Sequence, residues 1–335
     1  IGYEWITHSL YGSGQLFSAM GYSQSARKAV SEPFWLKTLV GFCFTGGCYV
    51  SILFLSPLLC QLRILIRWIG LILILILILP KTTLALWPPF PSEDNLYWST
   101  FIQCSFIAVG GLGLITLTIL DITNRFTPNS ILLTLWILGT FIFAANINWA
   151  INGRSFLPMA PAVGILIARR IEMLHLDKCS IFNNLKLVTA ILISFTLAVW
   201  LNAADYRMAN NARDAAKQFT QSYSQKSDSL FFSGHWGFQF YMEEGGGKSF
   251  DGKGLRSEDI IVIPIYNSHD FNLYFPPEKT LWKKQVEFPT LFGISSMNNV
   301  MGAGFYTYSW GPLPFAFGNV PMDKYLIYKL GFKEN

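Results

Sequence analysis

The sequence predicts a polytopic α-helical membrane protein, a bundle of about six spans followed by a small α/β domain. Three observations carry that expectation. The chain has 335 residues, of which 52% are hydrophobic and only 13% charged, about half the charged fraction usual in a soluble domain. Apolar segments of near-spanning length recur through the first 203 residues. From Asp205 onward the composition turns into that of a soluble domain, with 13 Lys/Arg against 13 Asp/Glu, whereas residues 1–203 hold 12 against 7. Gly and Pro are near average and show no period, which excludes collagen-like and disordered classes. The chain begins at Ile1 in a polar, aromatic stretch without the pattern of a signal peptide, and reads as a fragment with a further N-terminal part upstream.

A spanning helix needs ~20 mostly apolar residues, because the hydrocarbon core is ~30 Å thick and each residue rises ~1.5 Å. Six segments meet or approach this: 36–60, 64–80, 99–120, 131–150, 155–169 and 186–203. The alternating Leu/Ile run Leu71–Leu79 resembles a strand, but an open strand in lipid leaves its backbone unpaired, so helix wins. Pro158 and Pro161 remove donors from the fifth segment and predict a kinked or re-entrant element. Residues 1–35 are expected to form a loop or interfacial segment, 36–203 the bundle and 204–335 the soluble domain.

Basic residues set the orientation. With the first span running inward, Arg63, Arg67, Arg125, Arg169, Arg170, Lys178 and Lys186 fall on the inner edge, against Arg27, Lys28, Lys37, Lys81 and Arg154 outside. The soluble tail then lies on the extracytoplasmic side. Nucleic-acid binding would need a concentrated basic face, which is missing.

In the tail, Asp205–Tyr223 reads as a helix capped by Asp205, Ser229–Ser233 as a buried strand, Trp236–Glu244 as a helix and Ile260–Ile265 as a second buried strand. Strand, helix, strand predicts a parallel pair. The aromatic, Gly- and Pro-dense stretch Gly304–Gly318 is expected to be a hairpin and loop on that domain or at the membrane interface.

The sharpest chemical signal is NWAINGRSFLPMAPAVG, Asn148–Gly164. An arginine at the outer mouth of a kinked span, beside Asn146, Asn148 and Asn152, is costly in lipid unless it faces a cavity or an anion. Its planar fork suits phosphate, so Arg154, with Asn152, is the leading substrate-binding candidate; a snorkelling helix-end arginine is the plainer reading. Lys81, at the outer edge with Arg27 and Lys28, is a further phosphate candidate, although anchoring to lipid headgroups is the commoner reason for such residues. Glu93 and Asp94 could bind a divalent cation or act as a base, but a solvated loop accounts for them. His8, His175, His235 and His269 lack metal spacing, and His235 after a strand reads as a packing histidine. The cysteines Cys43, Cys48, Cys60, Cys104 and Cys179 show no CxxC spacing and sit mostly in apolar runs, predicting neither a metal site nor a disulfide framework. Phosphate-cradling loops and nucleophile elbows are absent, and Gly245–Gly247 reads as a helix stop.

The combination of INGRSFLPMAPAVGIL, the earlier FTGGC at Phe44–Cys48, and the tail motifs GHWGFQFYME and GFYTYSWGPLPFAFG resembles bacterial members of glycosyltransferase family 39. These are relatives of protein O-mannosyltransferases and the lipid A aminoarabinose transferase, and the likeness covers most of the chain as the C-terminal half of such a protein. It implies a GT-C fold in the inner membrane that takes a polyprenyl-phosphate-linked sugar as donor and a glycan, protein or lipid as acceptor, on the extracytoplasmic face. It also implies that the catalytic acidic residue lies upstream of this chain, that Arg154 touches the donor phosphate, and that any divalent metal belongs to the upstream part. A transporter or flippase, or a membrane-anchored binding protein, is the alternative.

Overall fold

The computed structural model describes residues 2–12, 33–59, 90–174 except 92, 181–223, 229–266 except 253–254, and 275–331 except 277–278 and 292, with single residues between 14 and 25 and at 66 and 70. The expected span 64–80 lies largely outside these residues, as do Arg27, Lys28, Lys81, Lys178, Cys60 and Cys179. The chain divides into two compact units. One is Ile1–Thr196 with Asn299–Ala316, the other Leu197–Asn298 with Phe317–Asn335. The expected boundary at 203/204 therefore moves to Thr196/Leu197, and the aromatic stretch expected with the soluble tail belongs mainly to the first unit.

The first unit is helical: α1 (Gly2–Tyr11), α2 (Phe34–Cys48), α3 (Val50–Leu59), α4 (Asp94–Asn124), α5 (Pro128–Ile142, prolonged by a π-turn Phe143–Ile147), α6 (Gly153–Phe156), α7 (Ala160–Met173) and the start of α8 (Ile181–Tyr223). Among the described residues, three helices, Asp94–Asn124, Pro128–Ile147 and Leu185–Tyr223, are long and apolar enough to cross a membrane.

Two expected spans take a different form. The segment 36–60 is broken between α2 and α3 by a bend of 86°. Tyr49 at the break leaves helical backbone geometry (φ −117°, ψ 51°), and its buried hydroxyl donates to Phe156 O at 2.7 Å, a tertiary bond that holds the bend. The segment 155–169 becomes α6, a 3-10 turn Leu157–Met159 and α7, because Pro158 and Pro161 cannot donate to a continuous helix. The carbonyl of Pro158 is satisfied instead by the Trp136 indole N–H at 2.9 Å.

Helices α2 and α4 pack through glycine. A Cβ at Gly46 would collide with the Ile107 carbonyl, and one at Gly111 with that of Phe42, so the backbones approach as small-residue interfaces allow. Contrary to the sequence expectation, two cysteines pair: Cys43 and Cys104 form a disulfide between these helices, their Cα atoms 5.7 Å apart. Their separation of 61 residues hid the pairing, which only the α2–α4 packing brings about. Stacked rings at Phe42–Phe141 (5.0 Å) and Phe44–Phe156 (6.0 Å) extend the core. The N-terminus of α5 is capped, as Thr127 accepts from Ser130 N and Pro128 fills the first turn.

Arg169 and Arg170, expected as membrane-edge anchors, are instead tied to protein. Arg169 pairs with the buried Asp121 at 3.3 Å and donates to Ser130 Oγ at 2.9 Å. Arg170 donates to Leu59 O at 2.9 Å, at the C-terminal end of α3 where carbonyls lack helical partners.

In the second unit α8 runs through Asp205 without interruption, so Asp205 caps nothing. A mixed sheet follows, with strands β1 (Leu230–Phe232), β2 (Lys248–Ser249), β3 (Ile260–Pro264), β4 (Thr280–Phe288) and β5 (Asp323–Leu330) in the order β2-β1-β3-β5-β4. The expected parallel pair is present, Leu230 opposite Ile260 and Phe232 opposite Val262. Helix α9 (Trp236–Glu244) connects β1 to its other parallel neighbour, β2. β3 is wholly buried. Its Ile260 and Val262 pack with Phe219 of α8 and Phe238 of α9, while Ile261 and Ile263 pack with Tyr328 and Phe250 on the opposite face. A central strand with two covered faces reads as an unbroken apolar run.

Candidate functional site

Arg154 is positioned by a compact polar turn. The π-turn ends at Asn148, whose amide donates to Ser155 Oγ at 3.0 Å. Asn152 caps α6: its Oδ1 accepts from Ser155 N and Ser155 Oγ, each at 3.0 Å, and its amide donates to Ala150 O at 3.2 Å. The carboxamide of Asn152 thus shapes the turn. Asn146 at the preceding turn is bonded to Thr38 Oγ1 at 3.1 Å. Arg154 itself is exposed.

The aromatic segment of the first unit closes on this turn. Gly153 N donates to Phe305 O at 2.7 Å, and Tyr308 N donates to Ile151 O at 2.8 Å. A Cβ at Gly153 would strike the Phe305 ring, which is why glycine stands there. Thr100 Oγ1 donates to Met301 O at 3.1 Å and anchors the same segment to α4. The segment folds on itself through Gly304 N to Leu313 O at 2.7 Å, with Trp310 and Leu313 buried. Arg154 lies with its guanidinium carbon 5.8 Å from the centre of the Tyr306 ring, a cation–π geometry. The motifs 148–164 and 304–318, far apart in the chain, therefore build one place. Against protein-family models, curated proteins and solved structures alike, the chain finds no match.

An exposed cation on an aromatic ring, in a turn whose other polar groups are already bonded, can receive an anion with its free guanidinium edge. Lys81 lies outside the described residues, so its candidacy is neither joined to nor separated from this place. Glu93 precedes α4 and Asp94 opens its first turn, both exposed, where negative charge favours a helix start. His8 lies exposed on α1, and His235 precedes α9 exposed, its ring 6.4 Å from Trp236. His175 and His269 lie outside the described residues. Among those described, no three His, Cys, Asp or Glu side chains converge as metal ligands do. Sequence reasoning found Arg154 but not Tyr306; the only signal for it was the aromatic density of 304–318.

Proposed function

We propose that the chain is part of an integral-membrane glycosyltransferase of the GT-C type, which moves a sugar from a polyprenyl-phosphate donor to an acceptor on the extracytoplasmic face of the inner membrane. The observation that carries this reading is the convergence of NGRS and GFYTYSWGP around Arg154, two of the four motifs on which the family resemblance rests. In this reading Arg154 grips the donor phosphate while Tyr306 steadies the guanidinium from the side. The acceptor hydroxyl, deprotonated by a carboxylate upstream of this chain, displaces the phosphate at the anomeric carbon with inversion. Charge then grows on the leaving phosphate, and a fixed arginine stabilises it without the reorganisation that water requires.

The orientation has separate support. Disulfides form in oxidising compartments, and Cys104 lies in the first third of α4, the same end to which Thr100 anchors the Arg154 neighbourhood. The Arg169–Asp121 pair lies toward the other end of α4. An extracytoplasmic Arg154 agrees with both.

The test is binding of a polyprenyl phosphate to the chain in lipid nanodiscs. Arg154→Ala is expected to weaken binding about tenfold, the scale of one charge-assisted hydrogen-bonded contact, with Arg154→Lys intermediate. Equal affinity in all three proteins removes Arg154 from donor recognition.

A further inference from the structure

Gly47, Cys48 and Tyr49, consecutive at the end of α2, reach both halves of the Arg154 place. A Cβ at Gly47 would strike Pro314 and crowd the Phe315 ring, so the aromatic segment lies directly on the helix. Cys48 Sγ stands 4.0 Å from Gly153 O, and the buried Tyr49 hydroxyl donates to Phe156 O at 2.7 Å. Gly153 and Phe156 are the first and last residues of α6, the single helical turn that carries Arg154.

The acceptor at Phe156 is a consequence of the prolines. Pro161 has no N–H to offer the Leu157 carbonyl, and Ala160 N donates to Leu157 O in its place. In a regular helix that same Ala160 N–H would have served Phe156 O, which is left to find another donor. A buried carbonyl without a partner is costly, and the Tyr49 hydroxyl supplies one from outside the helix. The other end of α6 is fixed separately, by the Asn152 cap on Ser155 N. With both ends held, so short a helix cannot pivot, and the guanidinium keeps its place against Tyr306.

Tyr49 is itself anchored. Within two turns before it, α2 packs on α4 through Gly46 and is joined to it by the Cys43–Cys104 bond. Thr100, one turn from Cys104 on α4, donates to Met301 O. The covalent link therefore connects the helix that holds the Arg154 turn to the helix that holds the aromatic segment.

We propose that Tyr49 is a positioning residue for Arg154: by bonding Phe156 O it fixes the direction in which the guanidinium is presented to an anion. This rests on the reading of Arg154 as the ligand of the donor phosphate, and adds to it the residue that orients that ligand.

The test combines a double-mutant cycle on polyprenyl phosphate binding in lipid nanodiscs with phenylglyoxal labelling of arginines, which needs no ligand. Tyr49→Phe is expected to weaken binding about fivefold in the parent and to add nothing to Arg154→Ala, because its effect passes through that side chain. In the unliganded chain it should raise the labelling rate at Arg154 about two- to fivefold by freeing the guanidinium from Tyr306, with Arg213 of the second unit unchanged. A loss that persists in full on the Arg154→Ala background, or an Arg154 labelling rate equal to the parent's, overturns the proposal. Should the parent bind no polyprenyl phosphate, the donor reading falls and labelling alone decides the role of Tyr49. If Tyr49→Phe does not fold, the chain with Cys43→Ala and Cys104→Ala releases α2 in its stead and is held to the same two outcomes.

Discussion

Asp121 is buried in the first unit and Asp323 half-buried in the second, and the two are compensated oppositely. In the first unit Asp121, 6% exposed, faces a full counter-charge, Arg169, at 3.3 Å, inside helices whose outer surfaces carry Ile102, Phe106, Leu132, Leu135 and Phe195 in the open. In the second, Asp323 receives a neutral amide from Asn211 at 2.6 Å, with Arg207 acting on it more weakly than burial does. The first unit is apolar outside and closely packed through glycine inside, as suits a lipid solvent, where a bare charge has no water to turn to. The second keeps its apolar residues on the two faces of a sheet. Asp121 is compensated by charge and Asp323 by a neutral hydrogen bond, so the first ties helices together and the second leaves more of the burial cost unmet.

The largest effect that would break this comparison comes from Asp121→Ala, which leaves Arg169 without its counter-charge and is expected to cost about 3 kcal/mol or more. Asp121→Leu with Arg169→Met should recover most of that loss in thermal unfolding measured in detergent. If the single variant is as stable as the parent, the pair is not what secures the first unit.

A smaller loss, ~1–3 kcal/mol, is expected for Gly46→Ala, because the new methyl group meets the Ile107 carbonyl and forces α2 and α4 apart. The separation should also slow formation of the Cys43–Cys104 bond, read as an altered mobility between reducing and non-reducing gels. Unchanged stability and unchanged pairing would mean that the helix contact adapts and that glycine is not required there.

The smallest effect concerns pH. Burial raises the Asp323 carboxyl above its ordinary value, offset in part by the Asn211 hydrogen bond and by Arg207, and the buried Tyr325 feels the same charge. A carboxyl with a higher pKa folded than unfolded holds its proton more tightly in the folded state. Stability is therefore fully present below the ordinary carboxylate range, falls as pH rises through the raised value, and levels off above it. Asp323→Asn cannot ionise yet still accepts from Asn211, so its unfolding temperature should change less across that window. A variant that tracks the parent at every pH would place the titration elsewhere.

The sequence carried much of the second unit's centre. IIVIPI declared a strand because a short run of large apolar residues has nowhere to go but a covered position, and SLFFS paired with it as expected. β4 and β5 were missed, although the spaced apolar residues of KYLIYKL are a readable strand signal. The junction at Asp205 was misread because an aspartate that could cap a helix need not end one, and here its side chain is drawn to Ser296 instead. In the first unit the prolines correctly announced the broken fifth segment. The bend at Tyr49 was illegible, since what holds it is a carbonyl 107 positions away. Arg154 was visible as a cation in an apolar setting, whereas Tyr306 becomes its neighbour only through chain packing that no local pattern encodes.

The bond between Cys43 and Cys104 makes a covalent ring of everything between them, including the stretch from α3 to the start of α4. A protease that cuts once inside that ring opens the backbone without releasing a fragment. The two pieces stay tethered through sulfur and separate only when a reductant arrives. Wherever reductants are scarce, the nicked chain keeps α2 against α4.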